Sequence, residues 1–188
     1  MHTKLLTQSA ISGAAVIVAA MALSALPFAP PASADATLMA LVNDARLHPE
    51  KYPPNGNTAG AKMTGCANPL QDSGALAGAA QTHNGYISQQ PIAWLSTYPN
   101  MHRNADGKLS GDQGGIIEMA GYRSGRWEIV AAGFPSAAAA VQFWMQNDEA
   151  YQWGHRNIIL NCAIREAGAA HLAGGPYGHY WTVDLGNS

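Results

Sequence analysis

His155 stands in the run Gly154-His155-Arg156-Asn157-Ile158-Ile159-Leu160-Asn161, with Cys162 immediately after it. An imidazole, a guanidinium and two amides set against three aliphatic residues describe a polar cluster carried by buried backbone. Such an imidazole can move protons near neutral pH, hold a metal, or be a core histidine satisfied by its neighbours, and the local sequence alone favours the last. His102 lies in Met101-His102-Arg103-Asn104-Ala105-Asp106-Gly107, where Asn104 and Asp106-Gly107 have turn chemistry, so it sits on or beside a loop. Glu128 interrupts the apolar run Trp127-Glu128-Ile129-Val130 and is costly to bury unless it is paired or ligates something; on a strand that turns it to solvent it needs neither. Asp148 and Glu149 follow a helix and meet the unfavourable end of its dipole, as a solvated helix end or as part of a site. No serine lies in a nucleophile motif: Ser110, Ser124 and Ser136 have no base spaced around them.

These side chains need a scaffold. Leu38, Leu41, Val42 and Ala45 make one apolar stripe, which predicts a first helix capped by Asp35 or Thr37, with Arg46 facing out or paired to an acid. Prolines 49, 53 and 54 end it, and a loop rich in Gly, Asn and Pro runs from Asn55 to Asn68. A second helix is expected from Asp72 or Ser73 to Gln89, with Leu76, Ala80, His83 and Ile87 on its buried stripe. That places His83 in the core or in a cavity wall. Gly74, Gly78 and Gly85 in the same helix point to close packing against another backbone. A short helical segment over Gly115–Tyr122 is expected to turn Glu118 to solvent.

Ser136 caps the strongest helix, with Ala137, Val141 and Trp144 on one face. Two strands follow, Ile164–His171 and Tyr177–Leu185, joined by a turn containing Gly174-Gly175-Pro176. Trp181, Val183 and Leu185 alternate with Tyr180, Thr182 and Asp184, the pattern of a half-buried strand. His171 and His179 read as surface residues.

Residues 1–34 read as a secretory signal peptide: Lys4, an apolar Ile11–Leu26 segment, and Ala32-Ser33-Ala34 for cleavage after Ala34. Taking 34 residues from 188 leaves 154, one domain spanning 35–188, with no transmembrane segment in the mature chain. Ten basic against twelve acidic side chains, Lys4 being lost with the leader, argue against nucleic acid as a partner. In an oxidising compartment Cys66 and Cys162, the only cysteines, are expected to pair, closing a loop that the chain-entropy model values at about 4–5 kcal/mol at most.

Several blocks taken in order resemble the bacterial branch of the CAP superfamily, the cysteine-rich secretory, antigen 5 and pathogenesis-related 1 proteins that share the SCP domain. They are the His155 run, Phe143-Trp144-Met145, Tyr180-Trp181-Thr182-Val183-Asp184-Leu185-Gly186, Leu41-Val42-Asn43 with Arg46, Pro69-Leu70, Ala80 with His83, His102 with Asp106-Gly107, and Gly121-Tyr122. The resemblance spans about Thr37 to Gly186 and implies an α+β fold, an α/β/α sandwich with a small, largely antiparallel central sheet. It also implies a cleft of two histidines and two acids, which in some members binds zinc.

On this chain His102 and His155 match the histidines. Glu128 matches the acid of a segment usually written Gly-Glu-Asn, whose Gly and Asn are missing here, and Asp148 or Glu149 could supply the second acid. Two neutral imidazoles with carboxylates suit Zn²⁺, although no short His-Glu-x-x-His spacing supports it independently. The resulting expectation is a secreted, non-enzymatic module that binds a small ligand, lipid, cell-wall component or protein in the envelope or medium. The alternative is a zinc-dependent, peptidase-like hydrolase using the same cleft.

Overall fold

The computed structural model describes residues 35–187; the expected leader and its cleavage site lie outside the described residues. The Asp35 carboxylate accepts the Leu38 N–H at 2.9 Å and caps helix α1, Ala36–Leu47, which buries Leu38, Met39, Val42 and Ala45. A two-residue strand β1, Gln71–Asp72, precedes helix α2, Gly74–Ile87, capped by Ser73. Short helices α3, Ile92–Leu95, and α4, Ile116–Met119, bracket a 3₁₀ turn at Asn100–His102, and strand β2 is Gly125–Ala132. Helix α5, Ala137–Gln146, starts at the Ser136 cap, and α6 is Gly154–Ile159. The hairpin of β3, Glu166–Ala173, and β4, His179–Asn187, completes the sheet.

The sheet order is β1-β3-β4-β2, with β1 parallel to β3 and the other pairs antiparallel. Helices α1, α5 and α6 close one face around Val42, Trp144, Ile129, Val183 and Leu185. Helix α2 lies on β3 and β4 from the other side, with α4 packed on it. This is the expected α+β sandwich. Because β4 is central and both faces are covered, Tyr180, Thr182 and Asp184 are as buried as Trp181, Val183 and Leu185. The expectation of a half-buried strand is therefore corrected: alternation in sequence marks two buried faces, one of them holding polar groups.

Arg46 does not face out. It is buried, and its guanidinium donates to the carbonyls of Asn68, Ile159, Asn161 and Ile164, tying the first helix to the loop before β1 and to a segment more than a hundred residues away. The glycines of α2 are likewise not at a close approach: a Cβ at Gly74, Gly78 or Gly85 would meet nothing within 4 Å. The close approach is made from the partner side by Gly168 of β3, where a Cβ would run into the backbone of Leu76 and Ala77. Glu118 is half-buried, accepts the Gly114 N–H and faces Arg126 at 3.5 Å. Cys66 and Cys162 form the expected disulfide, across 96 residues. No helix among the described residues is long and apolar enough to cross a membrane.

Candidate functional site

Strand β2 is an edge strand, and a cleft of about 740 Å³ lies along its first half. Arg126, Trp127 and Glu128 form its floor, His102 with Tyr98 and Pro99 one wall, and Tyr151, Gln152, His155 and Ile158 the other. The structure thus brings His102, His155 and Glu128 to one cavity from three separate parts of the chain. His83 and Asp148 do not line it; each stands directly behind a residue that does. Glu149 is exposed beside Gly56 and is not part of the wall.

Glu128 reaches the cleft because period-two alternation turns it, with Val130, to the α2 face of the sheet. Its side chain is 3% exposed, with Oε1 2.8 Å from His102 Nδ1 and Oε2 2.5 Å from His83 Nδ1. His83 is held there by helix α2, pinned in turn by Asn84, which donates to the Ala170 carbonyl at 3.0 Å and accepts from Thr182 at 2.7 Å. The other imidazole nitrogen of His83 lies 3.3 Å from the Arg103 carbonyl, an acceptor only, so that nitrogen carries a proton. With a carboxylate facing Nδ1 as well, the ring is a buried cation in close ion contact with Glu128. Burial alone would lower the His83 pKa, but the Glu128 charge, the Glu128 hydrogen bond and the Arg103 carbonyl together raise it above the ordinary histidine value. Burial opposes ionisation of Glu128 too, yet His83 and His102 hold its pKa far below the ordinary carboxylate range.

Asp184 was not anticipated. It stands directly opposite Glu128 in the β2–β4 register, is fully buried, and neither of its oxygens receives a hydrogen bond among the described residues. Burial first, then the adjacent Glu128 charge, push its pKa well above its ordinary value of 3.8. His83 and Asp184 thus both stand against Glu128, and of the three only Glu128 lines the cleft. The only sign in the sequence was an acid on the polar side of a strand that reads as solvated.

The opposite wall is built by a turn. After the 3₁₀ segment Glu149–Tyr151, Gln152 and Trp153 both adopt the left-handed conformation, at φ 55° and 59°, a placement that costs L-residues about 1–2 kcal/mol each. The reversal lays α6 back on Asp148. The buried Asp148 carboxylate takes His155 Nδ1 at 2.6 Å on one oxygen and the Arg156 N–H at 3.1 Å on the other. Arg156 fixes the same turn from inside, donating to the carbonyls of Met145, Tyr52 and Lys62. Tyr151 and Phe143 enclose the His155 ring, at centroid distances of 5.2 and 6.0 Å.

Both cleft histidines share one arrangement: Nδ1 is anchored on a buried carboxylate, which leaves Nε2 without a hydrogen bond among the described residues. The model of the cysteine-rich secretory protein family, CAP, matches residues 39–185. The chain belongs to the CAP family. Neither a curated relative nor a solved structure matches it. In this CAP domain the four oxygens of Glu128 and Asp148 are spent on imidazoles and on a backbone N–H. Among the described residues no three His, Cys, Asp or Glu side chains are grouped to hold a metal ion, so the side chains as placed do not fit the zinc site that the family resemblance implies. Ser110, which lines the cleft, gives its hydroxyl to the His102 carbonyl and faces no base.

Proposed function

We propose that this CAP domain works outside the cytoplasm as a ligand-binding module, its ligand a small molecule, wall fragment or peptide seated between His102 and His155. The observation that carries the reading is the pair of imidazoles fixed through Nδ1, with Nε2 open to a cleft whose size is that of a small-ligand site. Trp127, Tyr98 and Tyr151 supply apolar faces, and the two Nε2 atoms supply acceptors for a ligand hydroxyl or amide, the mixed lining that orients a ligand. Export is supported by the leader-like residues 1–34 and by the Cys66–Cys162 bond, which belongs to oxidising surroundings.

Hydrolysis through zinc is the competing reading, and it would need the Glu128 and Asp148 carboxylates to release the imidazoles they hold. The two readings part in one experiment: calorimetry of the purified protein with zinc, then with muropeptides, chito-oligosaccharides and short peptides, each repeated on a His102→Ala, His155→Ala variant. The binding reading expects a wall fragment or peptide to bind in a histidine-dependent way, unaltered by chelator and without turnover. Tight zinc binding with chelator-sensitive cleavage of any of these ligands would replace it.

A further inference from the structure

A second histidine pair occupies the other face of the sheet, at the open end of the β3–β4 hairpin. In the register His171 is opposite Trp181 and Ala173 is opposite His179, which puts His171, His179 and Trp181 on the face that carries α1 and α5. Glu128 and His83 are on the opposite face, so this pair is no part of the cleft. His171 Nε2 lies 3.0 Å from His179 Nδ1. The ring planes are 15° apart with centroids at 5.2 Å, a separation that puts the two nitrogens between the ring centres, edge to edge. Each nitrogen is therefore aimed along the other's in-plane axis, with one proton between them. The Trp181 ring lies beneath His171 at 3.8 Å and 14°, itself fixed by donation from Nε1 to the Phe134 carbonyl at 2.8 Å. Both histidines are half-exposed, which corrects their reading as plain surface residues.

The pair differs chemically from the cleft histidines. Among the described residues no carboxylate is hydrogen-bonded to either ring. Burial and the neighbouring His179 lower the His171 pKa, with Asp35 pulling the other way. Two nitrogen donors on one axis, with no third His, Cys, Asp or Glu grouped with them among the described residues, cannot complete the four-ligand shell of zinc. They match a closed-shell monovalent ion that takes two ligands in line, and imidazole is a copper ligand.

We propose that His171 and His179 form a two-coordinate site for a monovalent copper-type ion. Metal–imidazole bonds of about 2 Å need the nitrogens about 4 Å apart. Opening the present 3.0 Å by about 1 Å asks only for side-chain rotation at a half-exposed hairpin end beside the Gly174-Gly175 turn. On binding, the proton between the rings moves through solvent to the far nitrogen of the ring that held it. Neither ring gains or loses a proton, the ion keeps its charge, and no electron is transferred.

Silver(I) is the probe, since it takes the same two-ligand geometry without needing a reductant that would attack the Cys66–Cys162 bond. Titration into the full chain should give one equivalent of binding, with shifts of the His171 and His179 imidazole ¹⁵N resonances and quenching of tryptophan emission through Trp181. His179→Ala should weaken binding by more than the roughly 10–100-fold that loss of an outer-sphere partner costs a metal site. The His102→Ala, His155→Ala background should keep both affinity and shifts, and excess zinc should displace nothing. His171→Gln, which keeps bulk over Trp181, replaces the alanine variant if that fails to fold. Binding unaffected by His179→Ala, ¹⁵N shifts confined to other histidines, or displacement by equimolar zinc would each overturn the proposal and leave the pair a structural hydrogen bond.

Discussion

Asp184 and Glu128 are two carboxyls side by side whose pKa values move in opposite directions, and the difference is set by what faces each of them. Glu128 has His83 and His102; Asp184 has burial and the Glu128 charge. The sign of each contribution follows. Asp184, raised in the fold, contributes stability that is whole below its ordinary value of 3.8 and is lost as pH climbs toward its folded value. Asparagine imitates the protonated acid and does not titrate. Asp184→Asn should therefore match the wild type near pH 4 and be the more stable protein at pH 7, with the gap widening between; urea unfolding at a series of pH values checks it. Glu128, lowered in the fold, stabilises above its ordinary pKa, and His83, raised, stabilises below pH 6.5. Glu128→Gln breaks both pairs and leaves His83 an uncompensated buried cation, at an expected cost of about 3–5 kcal/mol in the same assay at pH 6. If the two carboxyls held equal charge, the two variants would behave alike.

Elements set how precisely those residues meet, and the sheet face of α2 is the one that matters for His83. Gly168 lets α2 lie on β3 with backbone against backbone, so Gly168→Ala has nothing flexible to displace and must push the helix off the sheet. A loss of about 2 kcal/mol or more is expected, together with exchange broadening of the His83 ring as its contact with Glu128 loosens. Gly78, on the same helix, meets nothing, and Gly78→Ala should stabilise by up to about 1 kcal/mol through helix propensity alone. Thermal unfolding of the two variants separates the cases. The sequence located both glycine-bearing elements but assigned the tight approach to the wrong one. Helical spacing made α1, α2 and α5 legible because a 3.6-residue stripe is local information. That Arg46 gathers carbonyls from Asn68 to Ile164, or that Asp184 is opposite Glu128, depends on register and on which strand is central, and no window of sequence holds that. His102, Glu128 and His155 were reachable by resemblance; the role of Asp148 as anchor for His155 depended on the left-handed turn at Gln152 and Trp153, residues whose types announce no such turn.

On the scale of the whole molecule, the segment Asn55–Asn68 closes the back of α6 and so the wall that holds His155. Trp153 Nε1 donates to the Asn57 carbonyl, Asn157 bonds Lys62 N–H and the Gly60 carbonyl, Arg156 reaches the Lys62 carbonyl, and Cys66 is bonded to Cys162 just beyond the helix. The disulfide acts as a strap at the end of this seam: it shortens the unfolded chain's freedom and keeps a glycine-rich loop against a short helix that has only six residues of its own. Removing it by Cys66→Ala, Cys162→Ala should cost about 2–5 kcal/mol, a loss read as a lower urea midpoint. The damage should also be uneven. Amides of α6 and of residues 55–68 should exchange faster by more than the global loss requires, while those of β2 and α2, which hold Glu128 and His83 from the other side, should follow the global change. Uniform exchange across both walls would mean that the disulfide stabilises only the unfolded-state balance and has no part in shaping the cleft.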